Sequence, residues 1–310
     1  MKILVVSTSP GAQQKWVALL QAALPQSAVV SWSAELPPQN ADIAVVWAPP
    51  PELFVHERQL KVVFNLGAGV DGLLKLPTLP ADLPIVRLED AGMSVQMVEY
   101  AVWAITRANR HFDDYVAQQS VGDWKPLPEL KRQQWPVGVL GTGVMGSKVA
   151  QALAALDYSV AGWSRSGNVP EGIEGFAGKD NLPAFLARTR VLINTLPLTA
   201  DTRDILRTET LQQLLPNAHV INMGRGEHVV EEDLLALLNS GHVERATLDV
   251  FRHEPLPKDH PFWTHPRVTI TPHIAAISLQ DETVSQITDK IKRFISGEPL
   301  TGVVMRDRGY

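Results

Sequence analysis

Cysteine is absent from all 310 residues, which excludes disulfides, thiolate nucleophiles, Cys-ligated zinc and iron–sulfur clusters. A chain without cysteine fits a reducing compartment, and a cytoplasmic location is expected. Long apolar runs are missing too. No stretch approaches the roughly 18 consecutive apolar residues of a membrane helix, so no membrane partner is expected. The opening Met1-Lys2-Ile3-Leu4-Val5-Val6 reaches polar Ser7 too early for a secretory signal and reads as a first strand. Basic charge is not in excess: 28 Lys and Arg stand against 33 Asp and Glu, a net charge of -5 with no long basic run. That leaves no electrostatic footprint for nucleic acid. What is present is an ordinary globular composition, 45% hydrophobic and 20% charged, in a chain about twice the usual single-domain length. Two domains around a small-molecule cleft are the natural expectation.

The first ninety or so residues alternate short apolar segments with Pro, Gly and helical pieces. Strands are expected at Ile3 to Val6, Ala28 to Trp32, Ile43 to Trp47, Val62 to Leu66 and Ile85 to Leu88. From Ser94 to about Gln119, apolar residues recur at three-, four- and seven-residue intervals, which predicts one long amphipathic helix connecting two domains. A loop rich in Pro, Trp and charge follows, Gly122 to Pro136. A second strand series then runs through Val137 to Leu140, Ser159 to Trp163, Val191 to Thr195, Val220 to Met223, Thr247 to Val250 and Val268 to Thr271. The stretch from Leu279 to Ile295 reads as a helix, and the tail from Gly297 is expected to return to the first domain. The fold class is therefore α/β, two doubly wound parallel-sheet domains with an interdomain cleft. The expected boundaries are 1–97 plus 277–310 for one domain and 98–276 for the other.

Directly after Val137 to Leu140 comes Gly141-Thr142-Gly143-Val144-Met145-Gly146, then helical spacing from Ser147. Strand, glycines and helix in that order form a dinucleotide-binding turn: a tight bend, room for a pyrophosphate, and close packing of helix on strand. An acid about 20 residues on usually holds the ribose hydroxyls of NAD. This chain instead has Ser164-Arg165-Ser166 at the end of the next strand, a guanidinium and two hydroxyls suited to a 2′-phosphate. NADP(H) is the expected cofactor.

Three polar residues fall just beyond successive strands of the second series: Arg225, Glu254 and His273. Taken singly each has an ordinary reading. Together they fit the reduction of a 2-oxo acid, the reaction implied by the family resemblance given below, which requires a cation on the carboxylate, a task the permanently charged fork of Arg225 suits. Alkoxide charge built up by hydride arrival must be protonated by a group titrating near neutrality, for which His273 is the candidate. A carboxylate hydrogen-bonded to the far imidazole nitrogen raises its pKa and fixes the ring, the part expected of Glu254. His253, His260 and His265 lack regular ligand spacing, and no metal site is expected.

These segments, together with Gly67-Ala68-Gly69-Val70-Asp71 and Leu196-Pro197-Leu198-Thr199 with Thr202, resemble the D-isomer-specific 2-hydroxyacid dehydrogenases, in particular the branch that reduces glyoxylate and hydroxypyruvate. The resemblance covers most of the chain. It implies a flavodoxin-like substrate domain, a Rossmann cofactor domain, a homodimer, and a small 2-oxo or 2-hydroxy acid as substrate. It places the substrate carboxylate on the backbone of Ala68 and Gly69, the nicotinamide amide near Asp249, and dinucleotide contacts at Leu196, Pro197 and Thr202. Trp47 and Met93 align with residues walling a small cleft, though packing in the first domain explains them equally well. Formate dehydrogenases of the same superfamily carry Gln at the place of Glu254, so Glu254 favours a hydroxyacid reaction. Many relatives have His where this chain has Leu196. An NAD-linked D-lactate-like dehydrogenase and a non-catalytic dinucleotide sensor are the competing expectations. The missing acid near Ser164 speaks against the first, and the full Arg225, Glu254 and His273 set against the second.

Overall fold

The computed structural model describes residues 1–8, 10–128 and 130–310; Ser9 and Glu129, the latter within the stretch expected from sequence to be a loop, lie outside the described residues. The chain divides into two compact units, Met1–Gly92 with Ser278–Tyr310, and Met93–Ile277.

In the first unit the chain runs β1 (Lys2–Ser7), α1 (Pro10–Ala23), β2 (Ala28–Ser31), β3 (Ile43–Trp47), α2 (Glu52–His56), β4 (Val62–Asn65), α3 (Asp71–Leu74) and β5 (Ile85–Val86). The strands are all parallel, in the order β2-β1-β3-β4-β5. That is the flavodoxin-like order, in which the sheet reverses direction of growth beside its first strand. Ile3 to Val6, Ile43 to Val46 and Val62 to Asn65 are buried, as expected for strands covered on both faces, which read as continuous rather than alternating apolar runs.

The second unit begins with α4 (Met93–Asn109) and α5 (Phe112–Val121). The sequence predicts one helix across this span, but the chain breaks at His111, whose φ of 58° is left-handed and ends the ladder. The two parts also differ in what they pack against. Met97, Tyr100, Ala101, Ala104, Ile105 and Ala108 of α4 join a core with Val149, Ala150 and Leu153, whereas no residue of α5 is buried. α4 is packed into this core from Met97 onward, and the whole helix falls in the second unit, which starts at Met93, ahead of the 97/98 boundary expected from sequence.

The unit continues through β6 (Val137–Leu140), α6 (Val144–Ala155), β7 (Val160–Ser164), β8 (Glu174–Ala177), α7 (Leu182–Ala187), β9 (Val191–Asn194), α8 (Thr208–Leu211), β10 (Ala218–Asn222), α9 (Glu231–Ser240), β11 (Val243–Leu248) and β12 (Val268–Ile270). The strand order is β12-β11-β10-β9-β6-β7-β8, again all parallel. This is the dinucleotide-binding order with one added edge strand, and its switch point lies between β6 and β9. β8 has no counterpart among the expected strands. Glu174-Gly175-Phe176-Ala177 is an edge strand with little burial, so its sequence carries neither alternation nor an apolar run.

The chain returns to the first unit with α10 (Gln280–Ser296). Its tail lies beside β5, where the N–H of Val304 donates to the carbonyl of Ile85 at 2.8 Å and Val303 bridges Val86 antiparallel. Among the described residues no helix is long and apolar enough to cross a membrane.

Candidate active site

In an open parallel sheet, the crevice at the carboxyl ends of the strands beside the switch point is where ligands bind. In the second unit the glycine loop leaves β6 there, and the Leu196–Pro197 turn follows β9. Arg225, Asp249 and His273 follow β10, β11 and β12, three neighbouring strands.

The glycine loop is built as its spacing implies. Gly141 has a φ of 93°, and a Cβ on Gly146 would stand 1.8 Å from the carbonyl oxygen of Gly141, so the helix sits against the strand only because both are glycine. Gly143 is the N-cap of α6, and a Cβ there would meet nothing within 4 Å. The space above the first turn, formed by Val144, Met145 and Gly146, is therefore open where helix N–H groups and the dipole favour a phosphate. Ser147 caps inward, its hydroxyl donating to the carbonyl of Thr142 at 2.9 Å. At the end of β7, Arg165 and Ser166 are exposed, and the hydroxyl oxygen of Ser164 accepts the N–H of Gly167 at 3.0 Å. The charge of Arg165 contributes, after the hydrogen bond and charge of Lys179, to holding Asp201 below its usual carboxylate range. A diphosphate at the helix start and a phosphate at Arg165 thus both meet residues that fit them.

Pro197 and Thr202 form one turn. The Thr202 hydroxyl donates to the carbonyl of Pro197 at 2.7 Å and its oxygen accepts the N–H of Thr199 at 2.9 Å, so this side chain faces inward and shapes the turn. Leu196 is buried, its N–H donating to the side-chain oxygen of Asn194 at 3.2 Å.

Arg225 is half-buried, with one guanidinium nitrogen donating to the carbonyl of Gly224 at 2.9 Å. The residue after it must be glycine: a Cβ on Gly226 would lie 1.8 Å from the backbone carbon of Phe251. Phe251 in turn donates its N–H to Oε1 of Glu254 at 2.9 Å, while Oε2 of Glu254 lies 2.7 Å from Nδ1 of His273. The hydrogen bond to Glu254 raises the pKa of His273 above its ordinary value, against burial; the charges of Glu254 and Asp249 add to the rise and that of Arg225 opposes it. Burial pushes Glu254 the other way, but the hydrogen bonds from His273 and Phe251, with the charges of His273 and Arg225, bring its pKa below the ordinary value. Both shifts favour the charged imidazolium–carboxylate form of the pair, which lies close enough to Arg225 for its charge to act on both.

Asp249 is buried, and its carboxylate receives the loop that carries His273. Oδ1 accepts the hydroxyl of Thr271 at 2.6 Å and the N–H of Ile274 at 2.8 Å. Tyr100 extends this chain, its hydroxyl lying 2.6 Å from Oγ1 of Thr271, so the phenol donates where Thr271 has already given its proton to Asp249. The expected nucleotide-contacting residue is thus also a brace.

In the first unit, Ala68 and Gly69 follow β4 in a half-buried loop pinned by Asn65. The buried Asn65 amide donates to the carbonyls of Gly67 and Gly69, at 2.9 Å each. Trp47, at the end of β3, is 50% exposed with its ring over Gly67, and Met93 is buried at the start of α4 in the other unit. His260 lies 3.5 Å from Glu231 and His265 3.4 Å from Asn239, two separate partners. Sequence reasoning does not single out Asn65, Tyr100, Asn194, Asn222 or His228. The asparagines end β4, β9 and β10 as polar residues closing apolar runs, a signal open to reading; Tyr100 and His228 carry none.

The second unit is thus a dinucleotide-binding α/β sheet with an Arg and a Glu–His pair at its carboxyl edge. The family model for the NAD-binding domain of D-isomer specific 2-hydroxyacid dehydrogenases matches residues 102–275. The chain is 48% identical over 300 residues to glyoxylate/hydroxypyruvate reductase A of Salmonella newport, covering 95% of this chain and 96% of that protein. A D-isomer specific 2-hydroxyacid dehydrogenase of Xanthobacter autotrophicus, solved with NADPH and MES, superposes with a TM-score of 0.92 at 38% identity, over 100% of this chain and 99% of that one. The NADPH-dependent glyoxylate/hydroxypyruvate reductase of Sinorhizobium meliloti, solved with NADP and sulfate, gives a TM-score of 0.91 at 38% identity with the same coverage. The chain belongs to the D-isomer specific 2-hydroxyacid dehydrogenase family.

Proposed function

We propose that this chain is an NADPH-dependent reductase of small 2-oxo acids, converting glyoxylate to glycolate and hydroxypyruvate to glycerate. The observation that carries this reading is the 2.7 Å pair of His273 and Glu254 with Arg225 acting on both charges. The Salmonella and Sinorhizobium relatives are named for these two substrates, and the Xanthobacter and Sinorhizobium structures were solved with NADPH and NADP respectively.

When bound, the nicotinamide supplies the hydride. Arg225 binds the substrate carboxylate through its guanidinium and draws electron density from the neighbouring carbonyl. His273 gives the proton from Nε2, which makes no hydrogen bond among the described residues, to the oxygen that becomes the hydroxyl. Glu254 keeps its charge and holds the ring by Nδ1, so the imidazolium is the form present before the proton moves. The glycine loop and α6 hold the diphosphate, and Arg165 with Ser164 and Ser166 takes the 2′-phosphate. The second unit is then the nucleotide domain and the first the substrate domain. A homodimer in the cytoplasm completes the proposal, supported by the family resemblance and the cysteine-free sequence.

The test mixes purified protein with glyoxylate or hydroxypyruvate and either nucleotide, following loss of the reduced nicotinamide. Faster turnover with NADPH than with NADH is expected for both acids. Cofactor binding without turnover of any 2-oxo acid would overturn the reading, and a preference for NADH would remove the role of Arg165. Light scattering checks the dimer.

A further inference from the structure

His228 is completely buried, two residues beyond Gly226, and the reaction proposed above makes no use of it. Its ring lies between two segments of that site. Nδ1 accepts the backbone N–H of Arg225 at 3.1 Å and the side-chain amide of Asn194, whose nitrogen is 2.8 Å away. Nε2 lies 3.3 Å from the carbonyl oxygen of Pro197. A backbone N–H can only donate and a carbonyl can only accept, so the ring carries its proton on Nε2 and leaves Nδ1 bare. Two asparagines complete the arrangement. Asn194 donates also to Oδ1 of Asn222 at 2.9 Å, and Asn222 donates to the carbonyl of Arg225 at 3.0 Å. Arg225 is therefore held at its N–H by His228 and at its carbonyl by Asn222. The packing leaves no slack: a Cβ on Gly224 would come within 3.0 Å of Nδ1 and 2.9 Å of the Asn194 amide nitrogen.

We infer that His228 is a positioning residue joining the arginine that clamps the substrate carboxylate to the Leu196–Pro197 turn that meets the nucleotide, one ring nitrogen serving each. The inference rests on the functional reading above for the roles of Arg225 and the turn. An apolar side chain of similar volume fills the same space but fixes neither segment. The two nitrogens have different partners, so each arm can be cut alone, although Asn194 on Nδ1 also accepts the N–H of Leu196 and carries part of that arm to the turn.

Two substitutions divide them. In His228→Asn the amide oxygen takes the place of Nδ1 and nothing reaches Pro197; in His228→Gln the longer amide reaches Pro197 and no acceptor remains near the N–H of Arg225. Steady-state kinetics of H228N are expected to show KM for NADPH raised about threefold to tenfold, the scale of one neutral hydrogen bond, with KM for glyoxylate near wild type. H228Q is expected to raise KM for glyoxylate the more and, through Asn194, KM for NADPH the less. Equal shifts of both constants in both variants, or no shift in either, overturn the inference. Should both variants fold poorly, histidine-selective nitrogen labelling of the wild-type protein decides instead, since detection of a proton on Nδ1 of His228 excludes the arrangement. A wild-type protein with no NADPH-dependent reduction would defeat the functional reading alone, while the labelling still judges the ring's two bonds.

Discussion

Asp249 and Ala275 are joined by a buried hydrogen bond, 2.8 Å from the backbone N–H of Ala275 to Oδ2 of the carboxylate. With Thr271 and Ile274 on the other oxygen, one side chain holds both ends of the turn in which His273 sits at a left-handed φ of 55°. A non-glycine residue in that conformation persists only where its surroundings over-determine it, and three donors on one carboxylate do so.

Asp249→Asn tests this brace. An amide offers one oxygen where three donors converge and turns an N–H toward a backbone N–H, leaving a buried donor unsatisfied at a cost of about 1–3 kcal/mol. The melting temperature of the nucleotide-free protein should fall, and kcat with it. Unchanged thermal stability without nucleotide would leave Asp249 with a ligand-contacting role alone.

The pH dependence follows from the Glu254 pair. The reductive direction needs protonated His273, whose pKa is raised by its hydrogen bond to Glu254, so kcat/KM should be level at lower pH and fall only as pH rises past a point above 6.5. In Glu254→Gln the carboxylate charge is gone, and the fall should move to lower pH along with a lower maximum. Identical profiles in the two proteins would show that Glu254 does not set this titration.

Cofactor choice is expected to reside in Arg165. It stands exposed at the end of β7 between two serines, and the segment 164–166 holds no carboxylate to repel a phosphate. Arg165→Ala should raise KM for NADPH by about tenfold to a hundredfold, the scale of a charged hydrogen bond, and leave KM for NADH nearly unchanged. Equal effects on both nucleotides would count against phosphate recognition.

Acid stability should depend on His219. Burial, with the charges of Arg245 and Arg107, lowers its pKa to about 3 from an ordinary 6.5, and Nε2 is 2.9 Å from the Thr247 hydroxyl. The folded state therefore binds this proton less readily than the unfolded chain. Its contribution is fully present above about pH 6.5 and is lost as pH falls toward 3, by about 1.4 kcal/mol for each unit. Denaturant titrations across that range should show the loss, and His219→Gln should flatten it. Equal slopes would assign the acid sensitivity elsewhere.

Much of the site is legible in the sequence because its parts depend on local chemistry. The glycine loop is a turn whose geometry only glycines allow, and the Ser164-Arg165-Ser166 segment announces its charge where it stands. The elements missed are those whose reason lies outside the local chain. β8 is an edge strand held by pairing with β7. The break at His111 follows from α4 having a core to join and α5 having none. Asn65, Asn194 and His228 act through partners that the fold alone brings near.

By itself the sequence determined the two parallel sheets and singled out Arg225, Glu254 and His273 as candidates, since apolar runs and turn residues act over a few neighbours and ionisable groups carry their chemistry with them. Only the tertiary structure decided that His273 and Glu254 meet through Nδ1, that Asp249 braces the histidine turn, and that His228 faces Arg225 and Pro197 at once. Hydrogen bonds need donor and acceptor within about 3 Å, and that distance is set by how the strands stack, not by how far apart the residues lie along the chain.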